Sequence, residues 1–196
     1  PAPPAPVVYV RKVVLSWAFY DLANTIYSAI VMTAFLDPLF KERYGSYTPV
    51  GVATSLTLLL SAFASTRFGG RVDRTGRARP GLDLWSNVCV VATAALFFAI
   101  DLGAWPTLVV YGASLFAYQA ALTYYNALLP VVAPVERRGA VSGLGVGLGY
   151  AGIPLALMIS KYMLARGIPA QATFLLSAGL MTLGTIPLWL HVKDRP

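Results

Sequence analysis

Residues Arg67 to Pro80, "RFGGRVDRTGRARP", hold five arginines and one aspartate between two apolar runs. Upstream stands "VATSLTLLLSAFAS", Val52 to Ser65, and downstream "NVCVVATAALFFAI", Asn87 to Ile100. Neither run alternates with the period of two that a half-buried strand would show. Each is embedded in about 20 predominantly apolar residues, the length a helix needs to cross a bilayer. Composition agrees. The chain is 57% hydrophobic and only 12% charged, with mean hydropathy +0.66, where a soluble domain carries about 25% charged residues. These numbers describe an all-α membrane protein.

Six segments qualify as spans: Val13 to Phe40, Pro49 to Phe68, Gly81 to Leu102, Pro106 to Leu129, Ala140 to Leu164 and Ala170 to His191. The joints are short and carry Pro, Gly or charge, and they leave no room for a soluble domain. The opening "PAPPAPVVYVRK", residues 1–12, reads as a disordered tail, since no cleavable apolar region precedes the first span. A pI near 9.7 could indicate nucleic acid, but the cations sit in joints between bilayer-length segments, so nucleic acid is excluded as a partner and lipid headgroups explain them. The single cysteine, Cys89, lies within an apolar run and reads as a packing residue.

The cations also orient the chain. Arg11, Lys12, Arg67, Arg71, Arg74, Arg77, Arg79, Arg137, Arg138, Lys193 and Arg195 share one side, eleven residues, against Lys41, Arg43, Lys161 and Arg166 on the other. The bias predicts that both termini are cytoplasmic, in a cell (inner) membrane.

Polar residues inside the spans carry the functional reading. In span one, Trp17, Asp21, Asn24 and Ser28 follow at i, i+4, i+7 and i+11, a stripe down one helix face. Asp21 falls about 12 Å along that span at 1.5 Å per residue. A charge so deep costs about 2.5–3.5 kcal/mol and ordinarily faces a partner or a water-filled path. Asp21 therefore either fixes helix packing or serves solute binding, proton coupling or gating. In span four, Tyr111, Tyr118 and Tyr125 repeat every seven residues, with Gln119 and Asn126 on the adjacent strip. They form either an aromatic packing seam or a hydroxyl-and-amide lining. Span five reads "SGLGVGLGYAGIP", with Gly145, Gly149 and Gly152 on one face and Gly143 and Gly147 giving a second small-residue spacing. Such faces let helices approach closely, so packing is their expected role. Spans three and six are almost wholly apolar and are expected to face lipid.

An enzyme is a poor fit. The only histidine, His191, sits at a span end, Gly112 to Ser114 lacks the last glycine of a rhomboid-like nucleophile loop, and Asp73 with Asp83 has no second acidic pair for a divalent metal. No catalytic residue, metal site or cofactor is expected.

Within the arginine-rich stretch the order is Gly69, three residues, Asp73-Arg74, one residue, then Gly76-Arg77 and Arg79. This resembles the G-x-x-x-D-R-x-G-R-[RK] loop signature of the major facilitator superfamily, with Ala78 at a position often basic there. The blocks "SWAFYDLANTIYSAIVMTAFLDPLF", "YQAALTYYNALLPVVAPVERRGAVSGLGVGLGYAG" and "IPLWLHVKDRP" are similar to the N-terminal half of the autophagy-related vacuolar effluxer branch, also called the unknown-major-facilitator branch. Span four lacks the arginine that many proton-coupled members carry, and Tyr150 stands where the antiporter glycine motif has proline.

The resemblance implies a six-helix half with a 3+3 repeat, whose relatives carry about twelve spans and move solutes, amino acids among them, by alternating access. A parallel homodimer or a second six-helix half would complete it. Asp21, Asn24, Gln119, Tyr125 and Asn126 would line the path, Gly145, Gly149 and Gly152 would pack span five, and Gly69, Asp73, Arg74, Gly76, Arg77 and Arg79 would latch the inward end. A six-span substrate-binding subunit or a non-transporting scaffold is the alternative reading.

Overall fold

The computed structural model describes residues 10–194. Residues 1–9 of the expected tail, and Arg195, lie outside them. The described residues form six long helices and no strand: α1 (Arg11–Tyr44), α2 (Thr48–Thr75), α3 (Arg79–Leu102), α4 (Ala104–Ala127), α5 (Arg138–Ala165) and α6 (Ala172–His191). All but α4 are long and apolar enough to cross a membrane by length and composition. Helix α4 is diluted by Tyr111, Tyr118, Gln119, Tyr125 and Asn126, and it runs back along α3 after a turn at Gly103 (φ 130°).

Several helices outrun the apolar segments that define them. Hydropathy marks the edge of the hydrocarbon, whereas a helix ends only where the backbone must leave its dihedrals. Helix α2 thus continues through the arginines to Thr75 and stops at Gly76, whose φ of 65° is open to glycine. The joint between α2 and α3 is only Gly76, Arg77 and Ala78. Gly69, Asp73 and Arg74, read from sequence as loop residues, are helical. Helix α1 is wound wide over Ser28–Phe35, where Thr33 Oγ1 donates to the Ser28 carbonyl at 3.0 Å. The wide turns end just ahead of Pro38, which has no N–H for the regular ladder and whose ring crowds the carbonyl four residues back.

The packing follows a rule across the two halves of the chain. Helix α1 packs against α5 and α6, α4 packs against α2 and α3, and α3 meets α6. Exchanging α1 with α4, α2 with α5 and α3 with α6 maps this set of neighbours onto itself. The first helix of each triplet is therefore held by the second and third helices of the other triplet, the signature of a 3+3 repeat bundle. Between α1 and α4 the backbones stand apart and aromatic rings fill the space: Trp17 on Tyr125 (centroids 4.3 Å apart) and Tyr27 on Tyr118 (4.8 Å).

Exposure refines the expectation for spans three and six. Both keep an open apolar strip, Val91 and Phe98 on α3 and Leu183 and Leu190 on α6. The least buried of the five spanning-length apolar helices, however, are α2 and α5, with 17% and 22% of the apolar stretch inside the bundle against 44% for α6. Helix α6 is held by α1, where Gly184 faces Ala23.

Candidate functional site

The site grows from the α1–α4 seam. Tyr125 of α4 is stacked between Trp17 (4.3 Å) and Tyr20 (5.0 Å) of α1, and Trp17 Nε1 donates to the Tyr125 carbonyl at 3.3 Å. Three other tyrosine hydroxyls are paired: Tyr20 with Ser86 of α3 (2.6 Å), Tyr27 with Ser114 of α4 (2.9 Å) and Tyr111 with Thr54 of α2 (2.8 Å). The seven-residue tyrosine repeat thus forms largely a packing seam, pinned by hydroxyl pairs.

Two buried polar atoms of α1 and α4 have no hydrogen-bond partner among the described residues. The Tyr125 hydroxyl and Asn24 Nδ2 are both buried without a hydrogen bond. A buried polar atom in that condition costs about 1–3 kcal/mol, so it calls for a specific explanation. Next to Tyr125 lies Asp21, half-buried, whose carboxylate makes no hydrogen bond or ion pair among the described residues.

Helix α5 brings these groups together. A methyl group added at Gly145 would come 3.0 Å from Trp17 Cζ3, 3.3 Å from Asp21 Oδ2 and 3.3 Å from the Tyr125 hydroxyl. Three side chains therefore converge on one glycine. Gly149 faces Thr25, and Gly152 faces Leu22 and Ile26, so all three glycines lie along α1. Gly143 and Gly147 look outward, with nothing within 4 Å.

Gln119 and Asn126 are on the other flank of α4. They line a cleft of about 310 Å³ toward α2 with Ser61, Ser65 and Thr123, where Ser65 and Thr123 hydroxyls pair at 3.0 Å. Asn126 is exposed and Asn24 is buried in the bundle. The polar residues thus divide: Asp21 and Tyr125 lie beside α5, Gln119 with Asn126 beside α2, and Asn24 is buried within the bundle on α1.

At the end of the bundle that carries both termini, the arrangement departs from the expected order. Asp73 is exposed and forms no ion pair among the described residues, and Arg74 folds back onto the Gly70 carbonyl at 3.1 Å. The organising acids are Asp194 and Asp83. Asp194 accepts from the backbone N–H groups of Ala78 and Arg79, each at 2.9 Å, and so caps α3 from beyond the end of α6. Arg79 in return donates to the Leu188 carbonyl (3.0 Å), to the Val192 carbonyl and to Asp83 (2.8 Å). Each helix end supplies the group that the other lacks.

At the opposite end Arg43, Asp101 and Gln171 close a triangle: Arg43 pairs with Asp101 and donates to Gln171 Oε1 (2.9 Å), and Gln171 Nε2 donates to Asp101 (2.8 Å). Of these residues only Asp83 had a local signal, four positions after Arg79 on one helix face. Asp194 and Gln171 have none, because their partners are distant in sequence.

Comparison with known proteins adds a family relationship. The chain is 33% identical over 200 residues to an uncharacterized MFS-type transporter, YxiO, of Bacillus subtilis (strain 168), matching 92% of this chain and 46% of that protein. It is 29% identical over 146 residues to an uncharacterized protein of Aquifex aeolicus (strain VF5), matching 74% of this chain and 37% of that one. The chain spans less than half the length of these curated relatives. No family model matches it. The first likeness supports a relationship with the MFS-type transporters.

Proposed function

We propose that this chain is one six-helix wall of a major-facilitator-type transporter that moves a small polar solute, with amino acids the class favoured by the effluxer-branch resemblance. The observation that carries the reading is the convergence at Gly145 of the Asp21 carboxylate and the buried, unpartnered Tyr125 hydroxyl. Asn24 Nδ2 is a further buried polar atom on α1 without a hydrogen bond among the described residues. Such groups remain unpaired inside a membrane bundle when they serve water or a polar solute. Asp21 supplies negative charge for an ammonium group or a coupling cation, and Tyr125 and Asn24 supply neutral hydrogen bonds. Gln119 and Asn126 extend the polar lining toward α2.

A single wall cannot enclose a path. A mate therefore seals it, a second copy in parallel or a distinct six-helix half, and the two rock about the solute. The low burial of α2 and α5 supports a mate on that side. Both termini then lie in the cytoplasm of a cell that holds the protein in its inner membrane, and the α2–α3 turn faces inward.

Reconstitution of the chain in liposomes tests the proposal. Uptake or release of labelled amino acids that saturates with concentration supports it. Tight binding without flux would instead identify a six-span capture subunit. Neither binding nor flux, from a preparation whose mass shows that it is dimeric, overturns the reading.

A further inference from the structure

Consecutive helices α2 and α3 hardly touch each other, because α2 leans on α4 and α3 on α4 and α6. Between their ends, beside the Gly76 turn, the structure leaves a cleft of about 490 Å³. Its inner wall is aromatic: Phe68, Trp85 and Tyr124, with Phe68 centred 5.6 Å from each of the other two rings. Leu84 extends this wall outward and is 57% exposed. The mouth carries Arg71 and Arg77. Both side chains are exposed, and neither has an ion-pair partner among the described residues.

The two arginines are set in place by Thr75. Its hydroxyl donates to the Arg71 carbonyl (2.8 Å) and accepts from the Arg77 N–H (3.3 Å), which ties the two residues' backbones together where both line one opening. The remaining arginines of the stretch are engaged or elsewhere. Arg79 is committed to Asp83 and the end of α6, Arg74 is folded onto Gly70, and Arg67 does not line the cleft.

We infer that this cleft binds one anionic phospholipid, its phosphate held between Arg71 and Arg77 and an acyl chain laid along Phe68, Leu84 and Trp85. The inference rests on the helices spanning a bilayer, not on transport. Charge complementarity selects the headgroup: two unpaired guanidinium groups match a phosphodiester bidentately. The apolar wall selects a lipid over a free anion, which would leave those rings in water. Basic pockets between helices at a membrane edge are sites of this kind.

The test uses the fluorescence of Trp85 in nanodiscs in which a minor fraction of the lipid has brominated acyl chains. The Trp85 contribution is obtained as the difference between the wild-type protein and W85F. Quenching by brominated phosphatidylglycerol is expected to exceed that by brominated phosphatidylcholine about fivefold or more, roughly the worth of one basic residue at an anionic surface. The R71Q/R77Q double variant should bring the two lipids to parity, while R67Q keeps the preference. Equal quenching by the two lipids in wild type, or an unchanged preference in R71Q/R77Q, overturns the site. Loss of the preference on adding inorganic phosphate also overturns it, since it marks a soluble-anion site. Because both arginines are exposed, the double variant folds and the comparison stands.

Discussion

Asp21 illustrates how one residue divides stability from function. Its carboxylate makes no hydrogen bond or ion pair among the described residues, so D21N should leave thermal unfolding in detergent within about 0.5 kcal/mol of wild type. Solute flux should fall by at least about tenfold if the acid meets solute or cation. Flux that survives D21N together with a large loss of stability would reassign Asp21 to packing. Asp194 is the converse case. It caps α3 through two backbone N–H groups, and Asn caps as well as Asp while Ala does not. We expect D194A to cost about 1 kcal/mol and D194N much less, read from denaturation midpoints. Asp21 was visible in the sequence because an acid within an apolar run has few explanations. Asp194 was not, because its partners stand 115 and 116 positions away.

At the scale of helices, glycines decide which pairs approach. Gly145, Gly149 and Gly152 could be read as a packing face because their spacing keeps them in register on one helix. Gly184 is isolated in an apolar run and gives no such signal. Yet a methyl group there would stand 2.6 Å from Ala23 Cβ and 3.2 Å from the Phe19 carbonyl of α1. Backbone cannot yield as a side chain can, so G184A should force α1 and α6 apart and destabilise by about 1–3 kcal/mol. G143A, with nothing within 4 Å in this chain, should leave the monomer's thermal midpoint nearly unchanged. Equal midpoints for the two variants would place the α1–α6 crossing further apart than described. The ends of the helices were less legible than their existence: arginines stop a hydropathy window without stopping a helix, so α2 runs on to the left-handed Gly76.

At the scale of the molecule, the exposed flanks make the mate testable. Phe63 on α2 and Tyr150 on α5 are 64% and 67% exposed. Each stands twelve residues from its helix end on the side of the termini, Thr75 and Arg138, so the two match in depth. In a two-fold parallel dimer joined flank to flank, α2 of one protomer would lie beside α5 of its partner. The F63C/Y150C variant should therefore cross-link in membranes to twice the 21.0 kDa of the chain, while buried Cys89 stays unreactive. Only monomeric bands would exclude a homodimer joined through α2 and α5.

The amino-acid order alone determined six long helices, a cationic side and an aspartate within an apolar span, because hydropathy and charge act over one turn or one loop at a time. Tertiary structure decided which helices meet: each triplet's leading helix is clasped by the other triplet, α3 and α6 cap one another, and the polar residues of α4 divide between two flanks. Those pairings join residues whose separation in sequence carries no periodic signal, and only the packed bundle brings them within reach.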